Sequence, residues 1–239
     1  MSRGLLVCLS GIESSGKSSQ LKLLMENAYR QGLRPVHLWT RPGYTRNLEA
    51  AKRLVRQLMS ARAAGRSSGS STAERVPRVY PRRGKGFRSA LKKRLWLSLA
   101  LIDLIWVYGV QVRYWLSRGR TVICDRYLWD CLVDFRVNFP SDAVESGFLG
   151  RMLTALAPRP DVAFVLLISV EESLRRSKQR ERRFRETEAV LQQRLAEYRT
   201  VADQFQWPVL DGQRPAEEVA AEIQSKVAAI AKSAEESPA

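Results

Sequence analysis

Histidine and cysteine are scarce in this 239-residue chain, with one of the first and three of the second. The single histidine, His37, falls within an expected strand and reads as structural. Cys8, Cys124 and Cys131 fit no metal-ligand spacing, and the first two fall in or at the end of expected buried strands. They read as reduced core residues of a cytosolic protein, so a cytoplasmic location is expected. Met1 to Leu6 runs straight into a strand, which leaves no room for a charged leader, an apolar signal core and a cleavage site, and a secretory signal is not expected. No internal repeat is evident. Acidic residues are also few, 24 against 40 basic ones.

The excess of positive charge is concentrated. Residues 62–94 hold eleven lysines and arginines against the single acid Glu74, so well over half of the net charge of +16 lies there. The remainder is unexceptional for a protein whose ligands are phosphates, and binding to nucleic acid is allowed by this balance but not required. The length and an apolar fraction of 45% suit one domain, 1–239, with one core.

Between Arg94 and Arg113 lies LWLSLALIDLIWVYGVQV, long enough to be scored as a membrane span. Asp103 near its middle would cost about 2.5–3.5 kcal/mol on insertion. A span here would also put the segments on either side of it across a bilayer from each other. If those segments build one site, the run is a buried helix; contact with a membrane surface, helped by the preceding basic run, is the alternative.

The hydrophobic pattern alternates strands and helices. Strands are expected at 4–10, 35–40, 121–124, 161–168 and 208–210. Helices are expected at 17–30, 48–63, along the apolar run, at 145–156, from 171 through Tyr198 and at 215–232. Residues 65–86, rich in Ser, Gly, Arg and Pro, read as a flexible basic loop, and 233–239 as a frayed tail. This order implies an α/β fold, a parallel five-stranded sheet covered by helices on both faces, with ligands at the carboxyl ends of the strands.

Gly11, Ile12, Glu13, Ser14, Ser15, Gly16, Lys17 and Ser18 form G-x-x-x-x-G-K-S between an expected strand and an expected helix. Glycines let the backbone curl its N–H groups toward phosphate oxygens, and the helix start adds partial positive charge. Lys17 would reach the β- and γ-phosphates of ATP, Ser18 would hold Mg²⁺, and Ser19 continues the ATP-binding set. Asp125 ends the strand TVIC, where a second acid can hold the metal directly or through water. Arg126 beside it is placed to grip an acceptor phosphate.

SGIESSGKSSQ at 10–20, TRPGYT at 40–45, ICDRY at 123–127, PRPD at 158–161 and the arginine-rich stretch before Tyr198 resemble the thymidylate kinase family of nucleoside monophosphate kinases. The resemblance covers most of the chain. It implies a P-loop kinase fold with a helical lid at 174–188, ATP as phosphoryl donor with Mg²⁺, and dTMP as the first candidate acceptor. It also implies that Arg41 and Arg126 bind the acceptor's phosphate and that Glu13 lies near the acceptor sugar or the metal. Family members are commonly dimeric, and the apolar helix suits a dimer interface as well as a core. The phosphate loop carries no arginine, so the cation for the transferring phosphoryl group is expected from Arg180, Arg182, Arg183 or Arg185 in the lid, with Lys17, Arg126, Arg180, Arg183 and Arg185 as the catalytic set. The acceptor phosphate is already largely dianionic at neutral pH and needs no general base.

Three places depart from the family pattern. Where members carry an aromatic residue and polar groups around thymine, this chain has Ala100, Leu104 and Trp106. The loop lacks the usual glutamate between Arg41 and Pro42, and the insertion 65–86 is unlike a compact member. Two other readings therefore stay open: a kinase for a different phosphorylated acceptor (another nucleotide, a sugar phosphate or a membrane-associated phosphate), and a non-catalytic nucleotide-binding protein whose basic loop binds nucleic acid or an anionic membrane.

Overall fold

The computed structural model describes residues 4–43, 45, 90–179 and 186–236. The expected helix 48–63, the basic loop 65–86, the four lid arginines and residues 237–239 lie outside them.

Five strands form one parallel sheet: β1 (Leu6–Gly11), β2 (Val36–Trp39), β3 (Val122–Asp125), β4 (Val162–Leu167) and β5 (Val209–Asp211), in the order β2-β3-β1-β4-β5. β1 is central and buried throughout because helices cover both faces, which is why its residues are apolar without alternation. Successive side chains still point to opposite faces. Leu6 and Cys8 join Val122 and Cys124 in one core cluster, while Val7 and Leu9 join Ile123, Phe164 and Leu166 in the other.

The second cluster is capped by α1 (Lys17–Arg30) and the closing helix Ala216–Glu236. That last helix runs four residues beyond the expected end at 232, because its alanine-rich sequence continues the helical period. The first cluster is capped by α2 (Ala90–Trp106), which passes through a π-helical turn at Val107–Val112 into α3 (Arg113–Ser117). Two further helices complete that side: α4 (Leu128–Asn138) and α5 (Phe148–Leu156). α4 was not anticipated. Its sequence, LWDCLVDFRVN, is apolar almost all round, so it shows no one-sided period, and the two acids Asp130 and Asp134 are both buried. The remaining helices are α6 (Val170–Gln179), α7 (Glu188–Phe205) and α8 (Ala216–Glu236).

The apolar run therefore lies along the sheet. Residues 93–117 are long and apolar enough to cross a membrane, and 39% of their most apolar window is buried inside the molecule. One face, with Leu97, Leu101, Leu104, Val107 and Tyr108, packs into the core, while Leu95, Leu99, Ile102 and Trp106 lie on the exposed face. The expectation of a buried helix is met on that one face. Topology excludes a crossing, since β1 before the run and β3 after it pair side by side, Leu6 with Val122 and Leu9 with Asp125.

Leu104 is fully buried beneath the sheet, so Leu104→Ala should cost about 2–5 kcal/mol through lost burial and the cavity left behind. Urea unfolding followed by circular dichroism measures this; a loss below about 1 kcal/mol would contradict the packing.

Candidate functional site

The phosphate loop leaves β1 at Gly11, whose φ of 140° and close approach to β4 admit no side chain. A Cβ there would stand 2.1 Å from the Leu166 carbonyl oxygen. Ser14 (φ 60°) and Gly16 (φ 98°) take left-handed conformations, which curl the loop before α1 begins. α1 starts without a side-chain cap, as suits a helix end that receives an anion. Lys17 folds back into the loop, its Nζ donating to the carbonyls of Gly11 (2.8 Å) and Ile12 (2.6 Å) and to Ser15 Oγ (3.2 Å).

The loop is braced from outside. Ser173 on α6 donates to the Glu13 carbonyl at 2.8 Å, and Ser177 and Ser14 share a hydrogen bond of 3.0 Å. The Arg176 guanidinium donates to the carbonyl of Gly212 at 2.9 Å and reaches that of Ser14 at 3.4 Å. The first part of the expected lid, 174–179, thus belongs to a helix packed on the phosphate loop. Gly212, in the turn after β5, comes so near that a Cβ would meet the Ser15 carbonyl oxygen at 2.4 Å.

Asp125 and Arg126 arrive from β3. Arg126 takes φ 74°, a conformation costing about 1–3 kcal/mol for a non-glycine residue. Its backbone is held at both ends, the N–H donating to the Leu9 carbonyl at 3.1 Å and the carbonyl accepting from Thr40 Oγ1 at 3.0 Å. Tyr108, on the π-helical turn, bonds the same Thr40 hydroxyl at 2.6 Å. Thr40 is the residue before Arg41, so this chain of bonds fixes the ends of β2 and β3 side by side.

The result is one cavity of 180 Å³ lined by Glu13 through Ser19, Trp39, Arg41, Asp125 and Arg126. It gathers Glu13, Ser14, Ser15, Gly16, Lys17, Ser18, Ser19, Arg41, Asp125 and Arg126 from the expected site. Gly11 and Ile12 do not line it; they accept from Lys17, and Ile12 is a core residue. Arg180, Arg182, Arg183 and Arg185 lie outside the described residues. A second cavity of 340 Å³ lies against Ser15, Gly16 and Ser19 of the same loop and is walled by Arg175, Arg176, Gly212 and Arg214.

Burial has moved the charges in this site. The Lys17 ammonium is pushed down to about 8, by desolvation first and by the nearby Arg126 charge second, against the pull of Asp130, Asp125 and Glu13. Desolvation raises Asp125 although Lys17 and Arg126 oppose it. For Arg126 desolvation disfavours the charge, but Tyr198, Asp134, Asp130 and Asp125 outweigh it and the guanidinium is held above its ordinary value.

A Mg²⁺ ion fits the donor set. Ser18 and Asp125 both line the cavity with hard oxygen ligands, and Mg²⁺ binds through one or two carboxylates, phosphates and water rather than an all-protein cage. Accordingly, no cluster of three His, Cys, Asp or Glu ligands is needed, and none occurs among the described residues.

Four residues here escaped the sequence reading. Trp39 ends the edge strand β2 and is 44% exposed, an indole at the cavity wall. Asp130 accepts from Ser10 Oγ (2.6 Å), the Tyr127 N–H (3.0 Å) and the Tyr198 hydroxyl (2.7 Å), tying β1, α4 and α7 together beneath the loop. Asp134, one turn further along α4, faces Arg194 of α7. The available signal was two acids four apart in an apolar segment, and an arginine between Leu191 and Tyr198 on a buried stripe.

The thymidylate kinase family model matches residues 90–223. A thymidylate kinase of Roseiflexus sp. strain RS-1 is 29% identical over 239 residues, covering 92% of this chain and 91% of that protein. A thymidylate kinase of Roseiflexus castenholzii is 30% identical over 179 residues and 74% of this chain, which spans 64% of that relative's length.

In the free protein Lys17 loses its proton above about pH 8, well below an ordinary lysine. A phosphate ligand needs the ammonium, so Mg-ATP should bind roughly tenfold more weakly at pH 9 than at pH 7. Isothermal calorimetry at the two pH values tests this; an unchanged Kd would contradict it.

Proposed function

Because the chain belongs to the thymidylate kinase family, we propose that it transfers the γ-phosphoryl group of ATP to the phosphate of a nucleoside monophosphate, with dTMP as acceptor. One observation carries the reading: Lys17, Asp125, Arg41 and Arg126 meet in a single cavity although they come from three strand ends. Two sets of phosphate-binding groups at that range suit a donor and an acceptor better than one nucleotide alone.

The phosphate loop and Lys17 take the β- and γ-phosphates, and the second cavity, opening along the loop toward Arg176 and Gly212, takes the donor's nucleoside. Ser18 and Asp125 hold Mg²⁺, which when bound neutralises phosphate charge. Arg41 and Arg126 hold the acceptor phosphate, and Glu13 lines the same cavity. An acceptor oxygen attacks the γ-phosphorus, the bond to the β–γ bridging oxygen breaks, and ADP leaves. A dianionic acceptor gives up no proton, so catalysis is positioning plus charge neutralisation. Arg180, Arg183 and Arg185 are the proposed source of the cation for the moving phosphoryl group.

The acceptor's base is the finer question. dTMP is supported by the names of the relatives and by the family. On α2, Ala100 and Leu104 are fully buried and apolar and Trp106 is half exposed, so the first two offer no hydrogen bond to a base and the third only its indole N–H. A site lacking such contacts discriminates weakly between bases.

Chromatographic assay of dTDP formed from Mg-ATP and dTMP tests the reaction. Turnover is expected, with Lys17→Ala lowering it at least 100-fold; failure to form dTDP would sink the dTMP assignment. In the same assay kcat/KM for dTMP should exceed that for dCMP by less than about 100-fold. A ratio above about 10⁴ would mean that polar groups elsewhere read the base.

A further inference from the structure

Beside the two acceptor-side arginines lies a buried carboxylate that the reaction itself does not use. Asp134, 4% exposed, holds Arg194 at 2.5 Å through Oδ1 and Arg41 at 3.4 Å through Oδ2. Arg126 also acts on it: burial alone would raise the carboxyl, but the charges of Arg194, Arg126 and Arg41, in that order, hold it below its ordinary value. Guanidinium groups from the ends of β2 and β3 and from α7 thus share one acid. Arg194 is equally buried and has Glu186 as its second acid, 3.0 Å from Nε.

We propose that Asp134 is a positioning residue for acceptor binding, orienting Arg41 toward the acceptor phosphate, with Arg194 as its counter-ion. This rests on the assignment of Arg41 to the acceptor. The contact with Arg41 favours it over a mere tie between α4 and α7: Arg194 already has Glu186 as an acid, and Asp134 also faces the arginine that follows β2. The Arg41 side chain is 35% exposed just after β2, where an untethered arginine would sample many rotamers. The contact is an ion pair at Nε and not a hydrogen bond. Restricting such a side chain before binding removes part of the ordering cost that the ligand would otherwise bear. A buried ion pair is weak evidence of stabilisation in itself, which makes the contact with Arg41 the informative one.

The test must remove the pair without leaving a lone buried charge. The double variant Asp134→Asn/Arg194→Gln keeps the net charge of the pair at zero, and adding Glu186→Gln removes the acid that it leaves without a cation, so an effect common to both variants comes from Arg41. Steady-state kinetics with dTMP and Mg-ATP should show the KM for dTMP rising about tenfold and that for ATP moving less than twofold, with cooperative thermal unfolding retained. A dTMP KM within twofold of the wild type would overturn the proposal and leave a structural tie. Placed on an Arg41→Ala background, the double change should add less than a further twofold, because Asp134 acts through Arg41; a full additional tenfold loss would also overturn it. Arg41→Ala alone tests the underlying assignment: an unmoved dTMP KM there would refute acceptor binding at Arg41, whatever the Asp134 variants do. Should the double variant fail to fold, Asp134→Glu keeps the charge but displaces it by one methylene. The same selective rise in dTMP KM is expected of it, and a wild-type value would count against the proposal.

Discussion

The site depends on the parallel pairing of β1 with β3, in which Leu9 stands opposite Asp125. That register brings the start of the phosphate loop and the Asp125–Arg126 turn to the same end of the sheet. The pairing of β2 with β3 then sets Trp39 opposite Asp125, which delivers Arg41 two residues later. Ligand sites in open parallel sheets form at the carboxyl ends of strands where the chain order changes direction, and here β3 and β4 flank β1 on either side. A slip of one residue in β3 would turn Asp125 to the other face and separate the two sets of phosphate-binding groups.

Holding so many cations together demands compensation. Lys17, Arg41, Arg126 and Arg194 stand within reach of Asp125, Asp130, Asp134 and Glu186; Lys17 and Arg194 are buried, and Arg41 and Arg126 are partly exposed. Desolvation acts against the charges of Lys17, Arg126 and Arg194, and the acids keep these two arginines ionised while Lys17 is left easier to deprotonate. The balance differs by residue because Arg126 has several acids near it, whereas Lys17 meets the Arg126 charge as well as the acids. Phosphate entering this cavity would restore what Lys17 lacks, so binding and protonation are linked.

Much of this was legible in the sequence where the physics is local. The glycines and lysine of the phosphate loop announce a strand, a curled backbone and a helix start, and all three are found. The apolar runs placed each strand within one or two residues, because a strand buried on both faces needs no alternation. The membrane-length run resolved correctly through topology, though only one of its faces is buried. What stayed hidden depends on tertiary neighbours. α4 has no one-sided period, since it is enclosed by neighbouring elements, and so nothing local marks Asp130 and Asp134 as buried acids. Nothing local marks Arg194 either, although it is among the least exposed charged residues. Gly212 matters only because another loop passes within contact distance.

The central claim is that donor and acceptor phosphates occupy one continuous cavity between the phosphate loop and the β2–β3 end. An adenosine joined 5′ to 5′ through five phosphates to thymidine spans both halves, and calorimetric competition measures whether it does so here. A single equivalent of this compound should bind at least 100-fold more tightly than ATP or dTMP alone, because the second half binds intramolecularly, and it should displace both. Binding no tighter than ATP, with dTMP still able to bind beside it, would contradict the account.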